Sequence, residues 1–333
     1  MGGNLFKLGR RPRAAYLEIE AEVRAALDPL LGDGYRIPRY YGSKPDFGDL
    51  DVVVSADAIA ALGGFEAFRS AIATALEVQD SKSVGHVYST VVPDPGGGFQ
   101  VDYFVRAAEL LEPTYHYLSF NDLGNLIGKI YRRLGLKYGE DGLRYVFRRA
   151  TQPSYKRELL VSRDWPRILA FLELDVPAWE AGFADLEAMF TWVVASPWFS
   201  VAPYREDSRA GKTERRARTR PTMARFLAWL DEAGIDRECA YRAGRDAYVD
   251  TIAAAFPEAE LPEALAEERA REREAEALRA KFDGDRVREW TGLDGKPLGA
   301  FLRRFSRTYP AERLAGMDAE AIRAAVEGFP RTE

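Results

Sequence analysis

Tyr41-Gly42-Ser43-Lys44-Pro45-Asp46-Phe47-Gly48-Asp49-Leu50-Asp51-Val52-Val53-Val54, residues 41–54, is the stretch whose reading decides the fold. Its second half reads as a strand with a buried valine run. Side chains alternate faces along a strand, so Asp49 and Asp51 share one face while Leu50 and Val52 point the other way, into a core. Two carboxylates side by side repel one another and lose hydration, and a fold keeps such a pair easily only where cations neutralise it. A third carboxylate, Asp102, lies in the later segment Phe99-Gln100-Val101-Asp102-Tyr103-Phe104-Val105, where apolar neighbours face away from it. If the two strands lie side by side, Asp49, Asp51 and Asp102 converge into a ligand set for two Mg²⁺ ions.

A centre of that kind suits transfer at a phosphorus atom, with the attacking hydroxyl activated and a pyrophosphate leaving group stabilised, mostly by positioning and charge neutralisation. Gly42 then lets backbone N–H groups approach phosphate oxygens, the Ser43 hydroxyl donates to them, and Lys44 adds a point charge; Arg39 is a further candidate for that role. A lone Asp-x-Asp is a common surface feature. The Gly-Ser pair, the Gly-Asp-x-Asp entry to a valine-rich strand and a third Asp in a later strand together are far more specific.

Composition narrows the chemistry. The single cysteine, Cys239, cannot form an intramolecular disulfide or a thiolate cage, and two histidines, His86 and His116, cannot make a multi-histidine zinc site. Metal chemistry therefore rests on oxygen ligands, which favours Mg²⁺ or Mn²⁺. The histidines read as bystanders. No run of eighteen apolar residues exists and the basic N-terminus lacks an apolar h-region, so the expectation is a cytoplasmic chain without a membrane span. Net charge is -5, yet Lys129–Arg157 holds nine Lys/Arg against two acids and Arg205–Arg225 holds eight against three. Such local patches are compatible with a polyanionic partner.

Across 333 residues the pattern predicts an α+β chain. Helical spacing covers 14–31; strands are expected around 35–43, 49–55, 82–92 and 99–106, with a helix between the second and third. Pro93-Asp94-Pro95-Gly96-Gly97-Gly98 can only be a hairpin tip or a mobile loop. Beyond residue 106 the strand signal fades, and helices are expected at 121–135, in parts of 141–195, and at 221–232. The Glu/Arg-rich stretch 262–282 reads as a solvated support helix with i,i+4 pairs. The expected domains are 1–110, a mixed-sheet α/β unit; 111–160, a helical region; and 161–333, a helical C-terminal domain.

The pattern Gly42-Ser43, Asp49-Leu50-Asp51-Val52-Val53-Val54 and Val101-Asp102-Tyr103-Phe104-Val105 resembles the nucleotidyltransferase palm of the DNA polymerase β superfamily. A second block, Tyr117-Leu118-Ser119-Phe120-Asn121-Asp122-Leu123-Gly124-Asn125, resembles the nucleotide-binding segment of family X polymerases, and residues 126–143 resemble the thumb helix and the Gly-Leu-rich stretch that follow it. The resemblance spans roughly residues 35–145. It implies two-metal transfer of a nucleotide from an NTP or dNTP to a nucleic-acid 3′-hydroxyl. It also implies that Tyr117 acts at the sugar, Asp122 against the base, Asn125 at the base edge or sugar, and Lys129 near a templating base. Three departures stand out. Only five residues separate Ser43 from Asp49, Leu118 replaces an aromatic, and Phe120 replaces a Gly. No helix-hairpin-helix motif precedes the palm, which tilts the expectation towards a non-repair nucleotidyltransferase, with polymerase-like extension and terminal or tRNA tailing both open. Transfer of NMP to a small molecule or a protein side chain, using the same triad with a tight acceptor pocket, is the alternative.

Overall fold

The computed structural model describes residues 5–152, 154–209, 221–244 and 246–331. The central element is a five-stranded mixed sheet of order β2-β4-β7-β6-β5. It is built from β2 (Tyr35–Arg36), β4 (Asp49–Ser55), β5 (Asp80–Val84), β6 (Val87–Val92) and β7 (Phe99–Arg106). Strands β4 and β7 run parallel, while β2–β4, β6–β7 and β5–β6 are antiparallel. The crossover between the parallel strands carries α2 (Ala56–Ala61), which Ser55 caps by accepting from the Ala58 N–H, and α3 (Phe65–Ala75).

Helix α1 (Arg13–Leu31) buries Tyr16, Ile19, Val23 and Leu27, a stripe at helical spacing, together with Leu50 and Val52 of β4 and Phe99, Val101 and Tyr103 of β7. Burying such side chains stabilises the fold by about 1.5–3 kcal/mol each. The glycine-rich tip at 93–98 joins β6 to β7 and is pinned. The Arg11 guanidinium, from the short strand β1 (Arg11–Pro12) that pairs with β3 (Asp46–Phe47), donates to both oxygens of Asp94 and to the Gly98 carbonyl at 2.5, 2.6 and 2.7 Å. A Cβ on Gly96 would sit 2.6 Å from that guanidinium, so any larger residue there would have to displace it.

Helices α4 (Leu111–Leu118) and α5 (Leu123–Arg133) follow the sheet. Between residues 136 and 162 the structure departs from the expected fading of strands. Residues Leu136–Gly139 (β8), Gly142–Arg148 (β9) and Lys156–Ser162 (β10) form a three-stranded sheet of order β10-β9-β8. The alternation of Leu143, Tyr145 and Phe147, all buried, marks a strand of period two. Gly139 and Gly142 pair at the hairpin turn between β8 and β9, and strands this short leave only a brief alternation in the sequence. From Trp165 onward every described regular element is helical, beginning with α6 (Trp165–Phe171), α7 (Val176–Ala181), α8 (Leu186–Ala195) and α9 (Ala202–Arg209). No described helix is long and apolar enough to cross a membrane.

The chain divides into two compact units, Met1–Val146 with Glu158–Ala259, and Phe147–Arg157 with Glu260–Glu333. Within the first unit β2 and β4 pack against α4, and α5 packs against β8 and α8. In the second unit Val287, Phe301, Phe305, Ile322 and Val326 form a core of their own. The long helix there, Leu261–Lys281, is less solvated than its composition suggests. Its Glu268 is 1% exposed and pairs with Arg157 and Arg271, while Glu272 accepts from the Ala150 N–H.

Arg11→Ala leaves a buried Asp94 without its cation, at an expected cost of about 3–5 kcal/mol in urea unfolding. The Arg11 guanidinium holds the Asp94 carboxyl below its usual range. This contribution is therefore present above the unfolded carboxylate pKa and is lost as pH falls through the depressed folded value. The gap between wild type and Arg11→Ala should narrow in acid; an equal gap at every pH contradicts the assignment.

Candidate metal centre

The parallel register of β4 and β7 sets Asp51 opposite Asp102 and Asp49 opposite Gln100. Both strands turn these residues to the same face, and one oxygen from each of Asp49, Asp51 and Asp102 lies within 4.8 Å of the others. Burial, then repulsion from Asp49 and Asp102, pushes the Asp51 carboxyl well above its ordinary range, and Lys44 only partly offsets this. Burial also raises Asp102, against the Ser89 hydroxyl that hydrogen-bonds to it; Asp49 adds repulsion, and Gln100 donates from Nε2 to both Asp102 oxygens at 2.9 Å. Three converging carboxylates with no sulfur or imidazole form an all-oxygen donor set that fits a hard divalent cation, Mg²⁺ or Mn²⁺.

Lys44 sits over the Phe47 ring at 4.2 Å and donates from Nζ to Asn121 Oδ1 at 3.0 Å. Burial lowers its pKa to about 8, while Asp49 and Asp51 pull the other way. Asn121 reaches this position through a turn between α4 and α5 in which Phe120 and Asn121 both adopt left-handed backbone, φ 59° and 60°. Phe120 holds a conformation that glycine prefers because its ring is wedged against Trp179 and Phe183 and its N–H donates to the Arg39 carbonyl at 2.6 Å.

A cavity of about 330 Å³ opens over these groups. It is lined by Arg39, Lys44, Asp49, Asp51, Tyr117, Asp122 and Asn125 among others, so seven of the residues singled out from the sequence meet there. Tyr117 donates from its hydroxyl to Asn125 Oδ1 at 3.4 Å, and Asn125 donates to Asp122 Oδ1 at 3.1 Å. Gly124 permits this, since a Cβ there would lie 2.7 Å from the Tyr117 ring. A larger groove of about 840 Å³ beside α1 and α3 is lined mainly by alanine, proline and leucine and lies away from the carboxylates.

Other expected residues are placed elsewhere. The N–H groups of Gly42 and Ser43 donate to the Phe183 and Ala184 carbonyls at 2.8 and 2.7 Å, and neither residue lines the cavity. The room that Gly42 provides is taken by Ala184, whose carbonyl oxygen would sit 2.9 Å from a Cβ. Lys129 donates to the Pro203 carbonyl at 3.3 Å and lies over Tyr204. Arg39 lines the cavity, but its guanidinium donates to the Trp179 and Glu180 carbonyls at 3.0 and 2.7 Å. His116 is stacked on Trp165 at 3.9 Å, and His86 lies beside Glu140. Much of the basic character is paired: Lys137 with Glu158, Arg144 with Asp141, Arg157 with Glu268, Arg205 with Asp231, and Arg225 with Glu232. Residues 210–220 of the second basic stretch lie outside the described residues.

Sequence reasoning missed several groups at the cavity. Tyr16 of α1 stacks on Phe47 at 3.6 Å, and Tyr40 donates to Glu20 at 3.3 Å. Nothing local marks a helix residue that lies far upstream. Gln100 was findable, because a polar residue two positions before Asp102 must share its face.

No family model matches the chain, and no curated protein matches it. Among solved structures it is similar to Leishmania infantum polymerase β in a ternary P/T complex, at a TM-score of 0.34 and 17% identity, over 42% of this chain and 59% of that one. A likeness of that extent carries no inference about activity.

Because the folded-state pKa values of Asp51 and Asp102 are raised, their contribution to metal-free stability is greatest below the unfolded carboxylate pKa and is lost as pH rises through the folded values. Added Mn²⁺ should therefore stabilise the protein increasingly as pH rises from about 4 towards 7, by roughly 2.7 kcal/mol at a hundredfold excess over Kd. Asp51→Asn should melt at or above wild type without metal and gain nothing from Mn²⁺. Equal metal-induced shifts in both proteins count against the centre.

Proposed function

We propose that this chain is a metal-dependent nucleotidyltransferase that moves a nucleotide from an NTP or dNTP to a nucleic-acid 3′-hydroxyl and releases pyrophosphate. The observation that carries the reading is the convergence of Asp49, Asp51 and Asp102 from adjacent parallel strands. Two divalent cations, Mg²⁺ or Mn²⁺, when held by these carboxylates supply charge neutralisation for the triphosphate and activation of the attacking hydroxyl. The protein's own groups orient the reactants. Lys44, with its pKa near 8, is largely protonated at neutral pH and offers a charge to a phosphate oxygen at the cavity floor. The Tyr117–Asn125–Asp122 chain presents a ring and fixed polar groups to a sugar and base. Backbone amides of Gly42 and Ser43 are already spent on residues 183 and 184, which leaves phosphate binding to side chains.

Transfer of NMP to a small molecule or a protein side chain is the second reading. The ion-paired state of Lys137, Arg144, Arg205 and Arg225 favours it, since paired cations attract a polyanion weakly.

Labelled NTPs or dNTPs with Mg²⁺ or Mn²⁺ and a panel of tRNA, single-stranded DNA and gapped duplex separate the two. Extension of one nucleic acid supports the first reading; label on the protein or on small acceptors alone supports the second. Asp51→Ala and Asp102→Ala should each reduce transfer roughly 10³-fold or more, because several kcal/mol of charge stabilisation is lost. Retained turnover in both folded variants removes the mechanism.

A further inference from the structure

Among the three carboxylates Asp102 is the buried one, and its neighbours set its orientation. Gln100 stands two residues earlier on β7, on the same face and directly across from Asp49. Its amide Nε2 lies 2.9 Å from both Asp102 oxygens. Ser89, paired opposite Asp102 on β6, hydrogen-bonds to the same carboxylate. Three of the four lone pairs of the carboxylate are then used, which leaves one for a cation. Gln100 is 1% exposed, and its own Oε1 is buried with no hydrogen-bond partner among the described residues.

An unsatisfied buried carbonyl destabilises a fold. A leucine or methionine would pack at this position without that penalty. The side chain that is present keeps its amino group on Asp102 at the expense of its other end, so its arrangement serves the carboxylate rather than the core. Being neutral, the amide orients Asp102 without cancelling the negative charge that attracts a cation, as a lysine or arginine there would.

We infer that Gln100 is a positioning residue of the metal centre, holding both oxygens of Asp102 in the orientation that a divalent cation needs. The inference rests on reading the triad as a metal site. Outer partners of ligating groups typically change metal affinity by about 10–100-fold when removed.

The test uses the full chain and Mn²⁺ titration followed by electron paramagnetic resonance, with metal-free thermal unfolding measured in parallel. Gln100→Leu should bind Mn²⁺ roughly 10–100-fold more weakly than wild type. Its metal-free melting temperature should stay close to that of wild type, because removal of the orphaned carbonyl offsets the loss of the Nε2 bonds to Asp102. Gln100→Met, unbranched and of similar length, provides the same comparison should leucine pack badly. Affinity within twofold of wild type in either folded variant overturns the inference, as does a loss of affinity matched by a loss of melting temperature in both. Asp102→Asn separates this failure from the other one. If wild type binds Mn²⁺ no better than Asp102→Asn, the metal-centre reading itself is overturned.

Discussion

Repulsion among three carboxylates held within 4.8 Å is the constraint around which the rest of this site is organised. It arises from one pairing, β4 against β7 in parallel with Asp51 beside Asp102. Parallel pairing needs a crossover, supplied by α2, α3 and the β5–β6 hairpin, and the crossover's apolar face closes the core on the opposite side of the sheet. The hydrophobic layer of Leu50, Val52, Val101 and Tyr103 thus stabilises an arrangement whose polar face, taken alone, opposes folding.

The protein moderates this repulsion with a modest set of groups. Ser89 and Gln100 donate to Asp102, and Lys44 stands near Asp49 and Asp51 while bonded to Asn121. Lys44 is itself depressed by burial, so it compensates only part of the negative charge. Holding Asn121 in place requires two successive left-handed residues, an arrangement that persists only where packing over-determines it. Phe120 provides that packing against Trp179 and Phe183, which ties the cavity wall to the helical segment around α7. Arg39 and the Gly42–Ser43 amides contribute to the same tie through carbonyls at 179–184. Groups that sequence reading assigned to phosphate binding are in this way used to join the sheet to its helical neighbour.

Period-two alternation alone was enough to place Asp49 and Asp51 on one strand face and to set their apolar neighbours in a core, because strand geometry leaves no other arrangement. The same rule placed Asp102 on a single face of its strand. The helical stripe of α1 and the late helix Pro221–Glu232 were equally legible, since burial of a 3.6-period face writes itself into sequence. The β8–β9 hairpin was missed although Leu143, Tyr145 and Phe147 alternate, because three alternating positions in so short a run are outweighed by the helical pattern on either side.

What only the tertiary structure decided is adjacency and allocation. That β7 pairs with β4 in the register joining Asp51 to Asp102, and that Tyr16 from α1 reaches the same cavity, depends on long-range packing with no local signature. The allocation of donors was likewise hidden: a glycine amide or a lysine reads the same in sequence whether it faces a ligand or a distant carbonyl. Gly42 turned to Phe183, Lys129 to Pro203, and Lys44 alone among the expected cations stayed beside the carboxylates, because each hydrogen bond is settled by whichever partner the folded chain brings within reach.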